Sequence, residues 1–178
     1  MPKLVVRALG LAMALLIVVA SPTASRSDVT VPITRATLDG QLVALSVAAQ
    51  HHCHDLIPGQ LTCFSSEVVR DAAAAGLMPL TGTASDAEVG PDSSGGYVIA
   101  WVDATYAGAS VILTQDYDDL RTIGWNDRIS SYKVYTNLTG AFHTDIHFSG
   151  GYQLYCCFAQ VSYVGDHFND TFSSFELP

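Results

Sequence analysis

Apolar and polar residues alternate with a period of two through the second half of the chain. Tyr97–Val102, Ser110–Leu113, Tyr132–Tyr135 and Tyr152–Phe158 are β-branched or aromatic runs bounded by Gly, Asn and Asp. That is the pattern of short antiparallel strands. It predicts an all-β sandwich of two Greek-key motifs, with Trp101, Trp125, Phe142, Phe148 and Phe168 as core wedges. The first half reads differently. Ser65 to Gly76 predicts a short helix, with serine capping the start, Glu67 in the first turn, alanines in the body and glycine at the end. Val68, Val69, Ala72 and Ala75 lie close together on it, so that face is expected to pack. Leu42–Ala49 is open to helix or strand. Residues 77–95 hold Pro, Gly and Ser with little apolar content, which reads as a linker. At the N-terminus Lys3 and Arg7 precede the apolar run Ala8–Ala20 and the small residues Ser21–Ser25. This is a secretory signal layout, too short for the ~20 apolar residues that span a bilayer. The expected order is therefore a signal peptide at 1–25, an N-terminal extension at 26–76, a linker at 77–95 and a β-domain at 96–178.

Charge and cysteine content narrow the classes. The 178-residue chain carries a formal charge of −9, and loss of Lys3 and Arg7 with the signal takes it to −11. An acidic chain argues against nucleic acid as a partner and is relieved by bound cations. In an exported protein, Cys53, Cys63, Cys156 and Cys157 are expected to form disulfides. Cys53–Cys63 would staple a loop around Pro58-Gly59. Cys156 and Cys157, on opposite faces of a predicted strand, could instead tie the extension to the sandwich, and a vicinal bond is disfavoured. Four cysteines allow three connectivities, and spacing does not choose among them. The cluster His51-His52-Cys53-His54 lacks the paired ligand spacing of structural zinc sites. His143 and His147 flank Asp145 in a predicted surface hairpin. With no Gly-x-Ser-x-Gly elbow, phosphate loop or His-Glu-x-x-His, an enzyme is not expected.

The strongest signal is an internal repeat. Trp125-Asn126-Asp127-Arg128-Ile129-Ser130-Ser131 returns as Phe168-Asn169-Asp170-Thr171-Phe172-Ser173-Ser174, an offset of 43 residues. Tyr106-Ala107-Gly108 is answered by Phe148-Ser149-Gly150 after 42, and Trp101 by Phe142 after 41. Near-constant offsets mark a duplicated unit. Each copy carries a carboxylate, an amide and hydroxyls, all hard oxygen donors of the kind calcium takes in sets of about 6 to 8. A single such segment is ordinary turn chemistry; two in phase suggest paired ligand loops.

With these motifs the region from about Gly96 to Pro178 resembles the microbial, calcium-binding βγ-crystallin domains. That family combines two Greek keys, each with a Tyr/Phe-x-Gly corner and an Asn/Asp-Asn/Asp-x-x-Ser/Thr-Ser segment. The resemblance implies two Ca2+ ions, shared between the motifs. Asn126, Asp127, Arg128 and Ser130 would line one motif and Asn169, Asp170, Thr171 and Ser173 the other. Asp127 and Asp170 would bind through carboxylates, Ser130 and Ser173 through hydroxyls, and Arg128 and Thr171 through backbone carbonyls. A further carbonyl would come from near Asp103–Thr105 and Asp145–His147. Phe172 departs from the usual aliphatic residue and is expected to alter packing rather than ligation. Cys53–Ala75 resembles a short module found ahead of small domains in secreted actinobacterial proteins and implies no activity. The expected function is a secreted, monomeric calcium-binding protein with no nucleic-acid or membrane partner. The alternative is a secreted peptidase inhibitor of crystallin-like fold, with the Cys53–Cys63 loop presented to a secreted protease.

Overall fold

The computed structural model describes residues 32–77 and 96–177. The predicted signal segment and almost all of the predicted linker lie outside them. The first described stretch holds strands β1 (Arg35–Leu38) and β2 (Gln41–Leu42), helix α1 (Leu45–Ala48), strands β3 (His52–Ile57) and β4 (Gln60–Phe64), and helix α2 (Glu67–Ala75). The second holds β5 (Val98–Asp103), β6 (Ala107–Leu113), β7 (Ser131–Val134), β8 (Gly140–Asp145), β9 (Ser149–Tyr155), β10 (Gln160–Val161) and β11 (Ser174–Glu176).

The strands form two sheets, ordered β10-β7-β5-β6-β3-β4-β1-β2 and β11-β8-β9. Each repeat unit gives one Greek key, and the keys exchange their third strands. β10, from the second key, pairs antiparallel with β7 of the first. In return Tyr117 of the first key bridges to Phe175 in β11. This exchange makes a βγ-crystallin-like sandwich whose halves share one core. Phe142 sits at its centre with ring centroids 5.0 Å from Tyr132, 5.0 Å from Phe172 and 4.9 Å from Phe175. Trp125, Phe172 and Phe175 are wholly buried, so the unusual aromatic at 172 is absorbed by packing against Phe142 and Phe168.

The predicted sandwich strands are present within a few residues. Several finer expectations are corrected. Phe148 is exposed rather than a wedge, and Phe168 is half-buried. Trp101 faces away from the shared core, into a second cluster with Ile99, Ile112 and Ala74 of α2. Its counterpart by register is His143, not Phe142, because Trp101 opposes Ser110 as His143 opposes Tyr152. β9 ends at Tyr155, so Cys156 and Cys157 lie in the following turn. They are bonded to each other, and Cys53 is bonded to Cys63. The disfavoured vicinal pairing is the one observed, and no disulfide ties the two halves together.

Hydrogen bonds perform that tie instead. β3 runs parallel to β6 with His52 opposite Ser110 and His54 opposite Ile112, and β4 carries the sheet on to β1. The Cys53–Cys63 loop is thus a hairpin in the sheet, with both cysteines fully buried. Helix α2 also differs from expectation. Val68 and Val69 point to solvent, and the buried residues are Arg70 and Ala74. Arg70 turns the face because its guanidinium donates to Ser110 Oγ (2.5 Å), Asp71 Oδ1 (2.6 Å) and Glu67 Oε1 (3.1 Å) under the helix. Ser66 occupies the N-cap position but makes no side-chain cap bond.

Candidate metal centre

Both Asn-Asp segments share a left-handed Asp bonded by the preceding Asn, and the first has a further lead-in of its own. Before the first, Asp119 accepts the Arg121 N–H and starts a short 3-10 turn. Gly124 ends the turn at φ 74°, with Ala49 so close that a β-carbon would meet it at 2.9 Å. Buried Trp125 then anchors the chain, and Asp127 takes a left-handed φ of 54°. Asp170 has the same φ of 54°. Asp tolerates this region better than most side chains because its carboxylate bonds locally. Here Asn126 Nδ2 donates to Asp127 Oδ2 (2.6 Å) and Asn169 Nδ2 to Asp170 Oδ2 (2.8 Å). In each case one carboxylate oxygen is occupied and the other is turned inward.

The inward oxygens meet the opposite motif. Asp127 N donates to Phe172 O at 2.9 Å, and Asp170 N to Ile129 O at 3.4 Å. Asp127 Oδ1 lies 3.3 Å from Ser173 Oγ, and Asp170 Oδ1 lies 3.4 Å from Ser130 Oγ. The predicted residues therefore assemble as two crossed pairs, each Asp beside the other key's Ser. Both distances exceed the ~2.7–2.8 Å usual for O–H···O bonds. Ser130 moreover gives its proton to Val102 O at 2.7 Å. In that pair two oxygens rich in lone pairs face each other without a proton between them, while in the other Ser173 Oγ donates a long bond to Asp127 Oδ1. That donor set fits a hard cation. Among the described residues no cluster of three or more His, Cys, Asp or Glu side chains forms, so each pocket offers a single carboxylate beside hydroxyl and backbone oxygens.

The remaining predicted positions are placed as follows. Arg128 is half-buried, its side chain donating to Ala49 O (2.8 Å) and Gly124 O (3.0 Å) and lying over the Trp125 ring. Burial lowers its pKa, partly offset by Asp170. Thr171 Oγ1 donates to Phe168 O at 2.8 Å, which closes its own turn. Sequence reasoning left the second serine of each motif without a role. Ser131 Oγ donates to Asp103 O (2.6 Å) and accepts the Tyr106 N–H (3.1 Å). Ser174 Oγ does the same with Asp145 O (2.7 Å) and the Phe148 N–H (3.1 Å). These serines bolt each hairpin corner against its motif. Their place in both copies of the motif was the available signal.

The corners are strained alike. Thr105 and Tyr106 have φ of 58° and 61°, and His147 and Phe148 have 58° and 52°. Gly108 and Gly150 follow at φ 75° and 78°, where a β-carbon would run into the carboxylates of Asp103 and Asp145. His147 lies at the hairpin tip, and its Nδ1 is 3.2 Å from Asp118 Oδ2, while His143 lies within β8. The other His-containing cluster is structural. Ser110 Oγ, fully buried, is 2.9 Å from His52 Nδ1 but also takes the Arg70 N–H, so it is pinned away from any substrate.

No family model matches the chain, and no curated protein matches it. Solved structures do. A double mutant of a βγ-crystallin domain from Clostridium beijerinckii is 30% identical over 45% of this chain and 93% of that one, with a TM-score of 0.41. A βγ-crystallin from an archaeon is 27% identical over 47% of this chain and 98% of its own, with a TM-score of 0.42. A clostrillin double mutant in complex with nickel is 27% identical over 45% and 94%, with a TM-score of 0.41. With two in-phase Asn-Asp-x-x-Ser-Ser motifs and two Greek keys that exchange strands, the second half of this chain has a βγ-crystallin-like fold, and the solved structures similar to it are βγ-crystallin domains.

Proposed function

We propose that this is a secreted calcium-binding βγ-crystallin protein in which two Ca2+ ions clamp the keys together. The observation that carries the reading is the crossed placement of Asp127 beside Ser173 and Asp170 beside Ser130. Asp127, Ser173 and neighbouring carbonyls would hold one ion. Asp170, Ser130 and their neighbours would hold the other. The ion would supply positive charge to oxygens that are otherwise joined by one long hydrogen bond at Asp127–Ser173 and by none at Asp170–Ser130. One carboxylate per pocket supports modest affinity, in the extracellular range of about 0.1–1 mM. Because the ligands come from both keys, binding favours only the folded state and stabilises it by mass action. Two disulfides and the signal layout of residues 1–25 favour an exported protein. The role is binding and stiffening rather than catalysis.

The test is calorimetric titration of calcium into EDTA-stripped protein, with melting curves before and after. Two binding events and a raised melting temperature are expected. Asp127→Asn together with Asp170→Asn should abolish the shift while the metal-free protein still melts cooperatively. A shift that survives in the double variant would overturn the assignment. The inhibitor alternative gains no observation in its favour. The Cys53–Cys63 hairpin is built into the sheet, and Gly59 at its tip accepts N–H groups from Thr34 and Arg35.

A further inference from the structure

The two keys are related by the repeat, yet among the described residues only one of them is covered. Along the edge of β6 lies β3, and α2 covers the outer face that carries Trp101 and Ile112. The equivalent edge in the second key is β9, the last strand of its sheet. Its outer face is bare: Tyr152 is 58% exposed, Leu154 60% and Phe148 40%. An unpaired edge presents a row of backbone donors and acceptors, and proteins usually blunt it with charge or proline. β9 reads Ser-Gly-Gly-Tyr-Gln-Leu-Tyr and has neither. From Tyr152 to Tyr155 it pairs with β8 without interruption, so that stretch is straight enough to take another strand.

We propose that β9 is a self-association surface on which a second copy of this chain pairs β9 with β9 about a two-fold axis. Strand addition supplies main-chain bonds, and exposed side chains supply the apolar contact. A two-fold edge-to-edge contact is antiparallel and closed, so it ends at a dimer. The joined sheets would form one six-stranded sheet with Tyr152 and Leu154 of both copies on the same face. Charge favours this meeting point. Two chains of formal charge −9 repel, and β9 is a stretch of seven residues with no charge at all. Of the other sheet edges, β2 and β10 are each two residues long and β11 is three, with Phe175 already bridged by Tyr117, so all are too short to compete as partners for β9.

The experiment is sedimentation velocity of the purified chain across a concentration series, in EDTA and again in calcium, with hydrogen exchange at both ends of the series. A concentration-dependent dimer is expected, with β9 amides protected at high concentration and exchanging faster on dilution. Leu154→Lys and, separately, Tyr152→Lys should yield a monomer that melts as the parent does at concentrations where the parent is itself monomeric, since both side chains are largely exposed in one copy. A chain that stays monomeric throughout would overturn the proposal. So would a dimer indifferent to both variants, or one whose concentration-dependent protection lies outside β9. Loss of calcium binding with retention of the dimer would sink the calcium reading alone.

Discussion

His54 and Asp55 are neighbours on β3, both almost fully buried, and they titrate in opposite senses. Burial pushes Asp55 up to about 6, against the pull of hydrogen bonds from the Thr114 N–H and hydroxyl and from Tyr117 Oη. Burial, with help from the Arg70 charge, lowers His54 to about 4. A raised carboxyl binds its proton more tightly when folded. The stability it contributes is therefore full below about pH 3.8 and is lost as pH rises through 6. A lowered imidazole does the reverse, contributing stability above about pH 6.5 that is lost as pH falls through 4. In the native chain the two slopes largely cancel between about pH 4 and 6. In Asp55→Asn only the histidine slope remains, reinforced by His52, which burial also lowers. Urea unfolding in EDTA should then show stability climbing by about 2–3 kcal/mol from pH 4 to 6.5. A profile as flat as the parent's would mean that His54 is not held neutral. These two residues also explain why β3 was illegible. A strand written His-Cys-His-Asp-Leu-Ile hides its alternation when the polar residues themselves are buried and partnered.

At the scale of elements, α2 shows what period alone misses. Helical spacing picked out Val68, Val69, Ala72 and Ala75, and the structure buries the positions of Arg70 and Ala74 instead. The deciding interaction is long-range, since Arg70 reaches Ser110, 40 residues away, and Trp101 Nε1 reaches Glu67 Oε1 at 2.9 Å. No local window contains either partner. Arg70→Ala should therefore do more than trim a surface charge. It leaves Ser110 and the two acids without their donor, but Glu67 and Asp71 sit near solvent and recover hydration. A loss of about 2–3 kcal/mol in urea unfolding is expected, below the ~3–5 kcal/mol that breaking a fully buried pair costs because both acids are partly exposed. A loss below about 0.5 kcal/mol, ordinary for surface sites, would show that the guanidinium is not seated as described. The turn at Cys156–Cys157 was missed for a related reason. Its aromatic and cysteine residues continue the β pattern of Tyr152–Tyr155, while Cys157 and Phe158 turn left-handed at φ 62° and 59°.

For the whole molecule, duplication was the legible part and asymmetry was not. Both Asn-Asp segments and both corners follow from a repeat that a single chain displays, whereas the exchange of strands between the keys is seen only in the structure. The crossing of each Asp to the other key's Ser was implied by the family resemblance; the offset alone gives only the equivalent positions. Nothing in the pattern announced that the extension would fill one edge only, since β1 to β4 are short and their polar positions are committed to partners elsewhere in the fold. The consequence is a β-domain that depends on what precedes it. A chain beginning at Gly96 would bare the β6 edge together with Ile99, Trp101 and Ile112, and would leave Tyr117 without Asp55. Each large apolar side chain so exposed forfeits roughly 1.5–3 kcal/mol, and an open edge beside an apolar face is a template for aggregation. Such a truncation should be poorly soluble and lose most of its thermal stability, while the calcium motifs, made wholly of residues beyond 96, remain encoded. Calcium should then raise its melting temperature from a much lower starting point, which a paired melt of long and short chains measures directly. A truncated domain that melts as high as the full chain would show that the extension is an attachment rather than part of the fold.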